Sequence, residues 1–241
     1  MKLAASVILY NPDKSVITNV LSYSSFVDFV FVIDNSDYSN NEVINELKSI
    51  PNLCYVKNER NFGIAKALNQ ACRMALEQGY DWILTMDQDS SFDLKEIQRY
   101  REQFLQFATS EKQVGLICPA EKDATSFFSI VEPAFRITSG TWVNLFAFRI
   151  VNGFDEMLFI DEVDYDFSFK MYLAGYRLVG FENIQMKHQL GMKRKIGFLK
   201  IFLIKERTIH SPFRLYYMVR NYLLIRKRYR SFFPELFNQR D

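Results

Sequence analysis

The sequence predicts an α/β fold: a mostly parallel central sheet with helices on both faces, and a helical appendage at the C-terminus. Three observations predict it. A strand, polar loop and helix pattern recurs three times before residue 80, and such repetition gives parallel strands joined by right-handed crossovers. The apolar run Trp82 to Met86 is too short for a core helix and stops abruptly at two carboxylates, Asp87 and Asp89; polar residues closing a buried strand collect at the carboxyl edge of an open α/β sheet. The 241 residues are 49% hydrophobic, with 23 Phe and 13 Tyr, enough to bury one sizeable core.

In chain order, Leu3 to Leu9 reads as the first strand, and Asn11-Pro12 leaves it in a turn because proline lacks a donor and fixes φ. A helix follows from about Ser15 to Ser22. Phe26 to Ile33 is the second strand, rich in β-branched and aromatic residues, and it ends in Asp34-Asn35-Ser36. Leu53 to Val56 is a short third strand. After Asn61-Phe62-Gly63 comes a helix whose Ile64, Ala67, Leu68, Ala71, Cys72, Ala75 and Leu76 repeat at helical spacing, closed by Gly79. Beyond the Asp87–Asp89 strand, Asp93 can cap a helix to about Ala108, with Leu94, Ile97, Tyr100, Phe104 and Phe107 on one face. Val114 to Cys118 is a further strand, and two apolar runs from Phe135 to Phe148 flank Ser139-Gly140. A helix is expected over Phe167 to Leu173, ended by Gly175. In the tail, Ile196 to Ile204 and Leu215 to Tyr229 read as amphipathic helices, the second placing Leu215, Met218, Val219, Tyr222 and Leu223 on one packing face.

Three groups of residues carry possible chemistry. Carboxylates at i and i+2 of an extended segment project to one side, so Asp87 and Asp89 can share a hard cation, or one can hold the cation and the other a ligand hydroxyl; a structural turn is the plain alternative. Asp161-Glu162-Val163-Asp164-Tyr165-Asp166 packs four acids into six residues ahead of a helix. Two of them are accounted for by the positive end of the helix dipole, and the excess suggests a general base. His188 follows a predicted strand, where it is either a ligand or an ordinary surface or core histidine. Asp34-Asn35-Ser36 is a turn or part of a crevice shared with Asn61, Gly63, Asp87 and Asp89, a crevice suited to a nucleotide with its metal-bound diphosphate.

Charge is distributed unevenly. Residues 1–186 hold 16 basic and 25 acidic side chains, and residues 187–241 hold 14 and 3, so the body is −9 and the tail +11. An acidic body argues against a nucleic-acid partner, and a basic amphipathic tail suits an anionic membrane surface or an anionic lipid-linked ligand. No apolar run reaches the roughly 18 to 20 residues of a membrane span, and Leu3 to Tyr10 reads as a strand and not as a signal peptide. The three cysteines, Cys54, Cys72 and Cys118, lie in apolar segments and suit reduced core residues and a cytosolic setting.

Together the chain resembles the family 2 inverting glycosyltransferases of the GT-A fold, with a Rossmann-like sheet, and most closely the bacterial rhamnosyltransferase-like enzymes of surface polysaccharide (O-antigen) assembly. The resemblance rests on Tyr10-Asn11-Pro12, Asp34-Asn35-Ser36, Asn61-Phe62-Gly63-Ile64-Ala65 with Asn69, Asp87-Gln88-Asp89, Ser139-Gly140, Gly153-Phe154-Asp155-Glu156, Phe159 through Asp164, His188 with Gly191, and Arg214-Leu215-Tyr216-Tyr217 with Arg220-Asn221. It implies a glycosyltransferase domain over 1–200, with a nucleotide-binding half (1–115) and an acceptor half (116–200), then a basic extension over 201–241. It implies that Tyr10, Asn11, Asp34, Asn61, Gly63, Asp87 and Arg220 bind the donor, and that Asp87, Asp89 and His188 hold Mg²⁺ or Mn²⁺. Counting back from the helix position where the family has Arg, here Lys170, places the base on Asp164, with Asp161 the alternative; Asp166 stands where close relatives carry Glu. The donor so implied is a nucleotide sugar, dTDP-rhamnose before a UDP-sugar, and the acceptor a glycan or lipid-linked oligosaccharide at the inner face of the cell membrane. Two other functions compete. A phosphatase of the haloacid dehalogenase type also uses Asp-x-Asp, but on the first strand of the chain and not the fourth, and a non-catalytic membrane scaffold would leave both acid groups without a job.

Overall fold

The computed structural model describes residues 1–120, 130–133, 135, 138–188, 193–196, 205–208 and 211–240. The chain opens with three strand and helix units: β1 (Leu3–Leu9) and α1 (Ser15–Ser24), β2 (Phe29–Asp34) and α2 (Asn41–Lys48), β3 (Leu53–Lys57) and α3 (Ile64–Glu77). Next come β4 (Trp82–Asp87), the short β5 (Ser90–Ser91), α4 (Leu94–Ser110) and β6 (Val114–Pro119). Then follow β7 (Ile130–Val131), β8 (Thr141–Asn144), α5 (Leu145–Ile150), α6 (Val163–Leu173) and β9 (Arg177–Phe181). The last part holds β10 (Lys187–His188), β11 (Lys193–Ile196), β12 (Lys205–Thr208), α7 (Pro212–Tyr229) and α8 (Pro234–Arg240).

Among the described residues the central sheet has eight strands in the order β3-β2-β1-β4-β8-β6-β9-β7. The first four are parallel, as are β6 and β9, while β8 runs against both its neighbours and β7 against β9. The sheet is therefore mostly parallel. Because side chains alternate along a strand, β1 sends Leu3, Ala5, Val7 and Leu9 to one face, where they meet Val20, Tyr100, Phe104 and Trp142. Ala4 and Ile8 point the other way, into a layer with Leu68, Ala71, Phe148, Phe167 and Phe169. Helices α1, α2 and α4 cover the first face, and α3, α5, α6 and α7 the second.

Several boundaries differ from the sequence reading. Helix α2, which the repeated pattern implies without bounds, is capped by Asn40, whose side chain accepts from the Val43 amide at 3.4 Å. Strand β2 begins at Phe29, since Phe26 closes a turn on Tyr23. Helix α6 starts at Val163, so Glu162 is its N-cap and Asp164 and Asp166 fall in its first turn. Leu94 is exposed while Ile97, Tyr100 and Phe104 bury. The helix expected over Ile196 to Ile204 lies mostly outside the described residues, and its first residue ends a strand that pairs antiparallel with β12.

Helix α7 is rotated relative to expectation, although Tyr222 of the expected face does pack against the second core layer. Its buried residues are Asn221, Ile225 and Tyr229, and Ile225 and Tyr229 join Phe167 and Phe169 in the second core layer together with Phe237 of α8. Leu215, Val219 and Leu223, expected to pack, are exposed. Apolar residues populate both sides of this helix, so periodicity alone could not choose the inner one.

An ionic network fixes α7 to α6. Asp166 is fully buried; its Oδ1 accepts from the Tyr229 hydroxyl at 2.9 Å and from Arg228 Nη1 at 3.1 Å, and Lys170 Nζ lies 3.6 Å from its other oxygen. Arg228 also reaches Asp155 at 2.6 Å. A buried carboxylate is tolerated only when paired in this way.

Candidate functional site

The parallel strands deliver their C-terminal ends to one edge, and the polar residues expected there assemble on it. Asp87 ends β4. Its amide donates to Ser139 Oγ at 3.0 Å, and that hydroxyl donates to Ser90 Oγ at 2.8 Å, so Ser139 ties down both ends of the Asp87–Asp89 turn. Two-residue strands β5 and β10 pair Ser90 with His188, which brings His188 Nε2 to 3.4 Å from Asp89 Oδ1. Asp87, Asp89 and His188 can each offer a ligand atom, all within 4.8 Å of one another. Two hard carboxylate oxygens and one imidazole suit Mn²⁺ well and Mg²⁺ adequately.

Burial, reinforced by the Asp89 carboxylate, pushes the Asp87 carboxyl up to about 6, while His188 and Arg214 oppose the shift. Asp164, in the first turn of α6, is likewise pushed up to about 6, chiefly by burial and further by Glu162 and Asp87; the Tyr165 amide, which it accepts at 3.0 Å, works the other way. The Asp87 carboxylate thus acts on Asp164, whose raised carboxyl suits a general base.

The rim holds the remaining donor-site candidates. Tyr10 donates from its hydroxyl to Asp37 at 2.7 Å and from its amide to Gln88 at 2.8 Å. Asn11 adopts φ of 47° and donates its amide to Ser36 Oγ at 2.7 Å. Asp34 is buried and already engaged: it accepts from the Ser36 amide at 2.7 Å and from the Tyr55 hydroxyl, with Lys57 at 3.5 Å. It therefore orders the turn at the end of β2. Asn61 accepts from the Gly63 amide at 2.9 Å. Gly63 has φ of +84°, and a Cβ there would lie 2.6 Å from Phe159, so the close approach that requires glycine is made by the loop before α6.

Two of the expected site residues are already engaged within the chain. Arg220, expected among the donor-binding residues, spends its guanidinium on the Met157 carbonyl and on Asn221 Oδ1, and stacks on Tyr217 at 4.5 Å. Asp161 is clasped by Arg214, Nη2 to Oδ1 at 3.1 Å and Nε to Oδ2 at 3.3 Å. Arg214 and Asn221 count among the residues that carry the resemblance, but no individual role follows for them from the sequence. Their spacing of seven residues, two helical turns, puts both on the inner side of α7 and was the available signal.

The loop between the short turn Glu156–Leu158 and α6 is unusual. Phe159, Asp161 and Glu162 have φ of 61°, 62° and 62°, a region that costs a residue with a side chain on the order of 1–3 kcal/mol each unless its surroundings impose it.

Comparison with known proteins gives a consistent picture. Residues 14–112 match the family described as Glycosyl transferase family 2. The chain is 28% identical over 254 residues to the dTDP-rhamnosyl transferase RfbF of Shigella flexneri, covering 93% of this chain and 80% of that one. Its fold is similar to crystal structures of S. aureus TarS residues 1–349: the complex with UDP superposes with a TM-score of 0.56 at 18% identity, over 72% of this chain and 55% of that one. For the complex with UDP-GlcNAc the values are 0.55, 16%, 72% and 54%. The chain thus spans about half of those TarS fragments, and at such identities the likeness speaks for the fold.

Proposed function

We infer that this chain is a glycosyltransferase of family 2, of the rhamnosyltransferase-like kind. We propose that it moves a sugar, most favourably rhamnose from dTDP-rhamnose and alternatively the sugar of a UDP donor, to a hydroxyl of a cell-surface polysaccharide or lipid-linked glycan, with inversion. One observation carries this reading: Asp87, Asp89 and His188 each offer a ligand atom within 4.8 Å of one another, and the Asp87 carboxylate acts electrostatically on Asp164.

The residues divide the work. Tyr10, Asn11, Asn61 and the turn ordered by Asp34 are available to the nucleoside. Asp87, Asp89 and His188 would hold Mg²⁺ or Mn²⁺, which when bound neutralises charge on the diphosphate. Asp164 takes the proton of the acceptor hydroxyl as its oxygen attacks the anomeric carbon; the bond from that carbon to the nucleoside diphosphate breaks on the opposite face. One displacement inverts the centre. A carboxyl held near 6 is ionised at neutral pH yet basic enough to accept that proton.

The test is donor binding and turnover with dTDP-rhamnose and UDP-sugars, in Mn²⁺ and in EDTA. Tight binding only with the cation, abolished in Asp89→Ala, supports the reading; equal affinity in EDTA removes the metal from it.

We further propose that the enzyme works peripherally at the inner face of the cell membrane. Among the described residues no helix is long and apolar enough to cross a membrane. The outer side of α7, however, exposes Phe213, Tyr216, Val219 and Leu223 by 57%, 60%, 61% and 57%, within the +11 tail. Apolar side chains set among cations match an anionic lipid surface.

A further inference from the structure

We propose that Asn221 is a positioning residue for the base: from inside α7 it holds the loop Phe159–Glu162 in the one shape that delivers Asp164 to the crevice. The proposal rests on the reading of Asp164 as proton acceptor.

Asn221 is fully buried. Its Nδ2 reaches three carbonyl oxygens of the loop, those of Leu158 at 2.7 Å, Ile160 at 2.7 Å and Asp161 at 2.9 Å. Two N–H groups therefore serve three acceptors, and its carboxamide oxygen accepts from Arg220 Nε at 2.9 Å and Nη2 at 2.7 Å. Arg220 can only donate, which fixes the orientation of the amide. No other side chain of this size fills the position: Asp would set negative charge against three carbonyls, and Leu would offer them nothing.

The loop has reason to need such a hold. Three of its residues take positive φ without being glycine, a backbone that persists only where its surroundings over-determine it. Gripping comes from two sides. From α7, Arg214 clasps Asp161 and Asn221 gathers the carbonyls. From α3, the Ile64 amide donates to the Phe159 carbonyl at 2.7 Å, while Tyr217 of α7 stacks on the Phe159 ring, centroids 5.1 Å apart. Glu162, the last residue of the loop, occupies the N-cap position of α6, and Asp164 follows two residues later. A relaxed loop would thus re-aim the first turn of α6. The charged groups around Asp164 are Glu162 and Asp87, with Arg214 held nearby on Asp161.

The experiment compares the full chain with Asn221→Leu, which keeps volume and removes every hydrogen bond, and with Arg220→Gln, which weakens the anchor of Asn221 from a less buried site. Two readouts are taken. Hydrogen exchange of a peptide covering 156–164 should accelerate by tenfold or more in Asn221→Leu, while peptides from β1, β2 and β4 keep their protection. Turnover should fall by roughly 10²-fold, with donor KM within threefold of the parent, and the acid limb of the pH–rate profile should move to lower pH as Asp164 meets water. Arg220→Gln should show the same pattern, smaller, and decides the matter if Asn221→Leu does not fold.

Unchanged exchange in the loop, or loss of turnover and donor binding in proportion to lost stability with the pH limb unmoved, overturns the proposal. If Asp164→Asn is itself active, the base assignment has failed; if Asp164→Asn is inactive while Asn221→Leu turns over normally, only the positioning role has.

Discussion

The carboxylates of the crevice act as individuals whose environments set their roles. Asp164→Asn keeps the shape of the side chain, so donor binding should persist while turnover falls by about 10²–10⁴-fold; Asp161→Asn, which loosens only the Arg214 clasp, should be milder. Steady-state kinetics with a parallel donor titration check this, and an inactive Asp161→Asn beside a near-normal Asp164→Asn would move the base to Asp161. A second expectation follows from protonation. Asp87 and Asp164 titrate near 6 in the folded chain against an ordinary value of 3.8, so the folded state binds their protons more tightly than the unfolded state. Their contribution to stability is full below about pH 4 and is lost as pH rises through 6. Metal-free protein should therefore melt at a higher temperature at pH 5 than at pH 7, and Mn²⁺ should reverse the loss at pH 7; a flat profile by calorimetry contradicts it. At this scale the sequence was informative where a group is local, as in Asp87-Gln88-Asp89. It was silent where a partner is remote: Arg214 meets Asp161 across 53 residues, and nothing in either neighbourhood announces the other.

Elements were legible in proportion to the regularity of their pattern. The parallel strands and α3 lie within a few residues of expectation because continuous apolar runs and a single small-residue stripe leave one solution. Helix α6 begins early because Asp164 and Asp166, which look like a polar loop in sequence, have partners in space: Asp166 meets Arg228, Tyr229 and Lys170. Helix α7 defeated periodicity because it is apolar on both sides. The network between these two helices gives a stability prediction. Arg228→Met leaves the buried Asp166 one charged hydrogen bond short, a cost of about 1.5–3 kcal/mol. That should lower the melting temperature by roughly 2–4 °C per kcal/mol for a chain of this length. An unchanged melting curve would mean that Lys170 and Tyr229 suffice without it.

The whole molecule joins an acidic body, residues 1–186, to a basic tail, residues 187–241. Full-length protein should float with anionic vesicles at low salt and be released as salt rises, since exposed charges are screened beyond a Debye length of about 8 Å at physiological ionic strength. Paired changes on the outer side of α7, Tyr216→Asp with Leu223→Asp, should abolish flotation and leave folding intact; truncation before α7 is a poor test because Ile225 and Tyr229 belong to the core. Flotation that survives the double change would assign the outer side to some other partner. The two sides of α7 answer to different demands: hydrogen bonding to a loop within, and contact with the surroundings without. Inherited variation should register that difference. A saturation scan of residues 212–229 read out as folded, active protein should show tolerance that rises and falls about every 3.6 residues, with minima at Asn221, Ile225 and Tyr229 and broad freedom at Tyr216, Val219 and Leu223. The outer stripe could then diverge to suit a new surface while the reaction stays as it is.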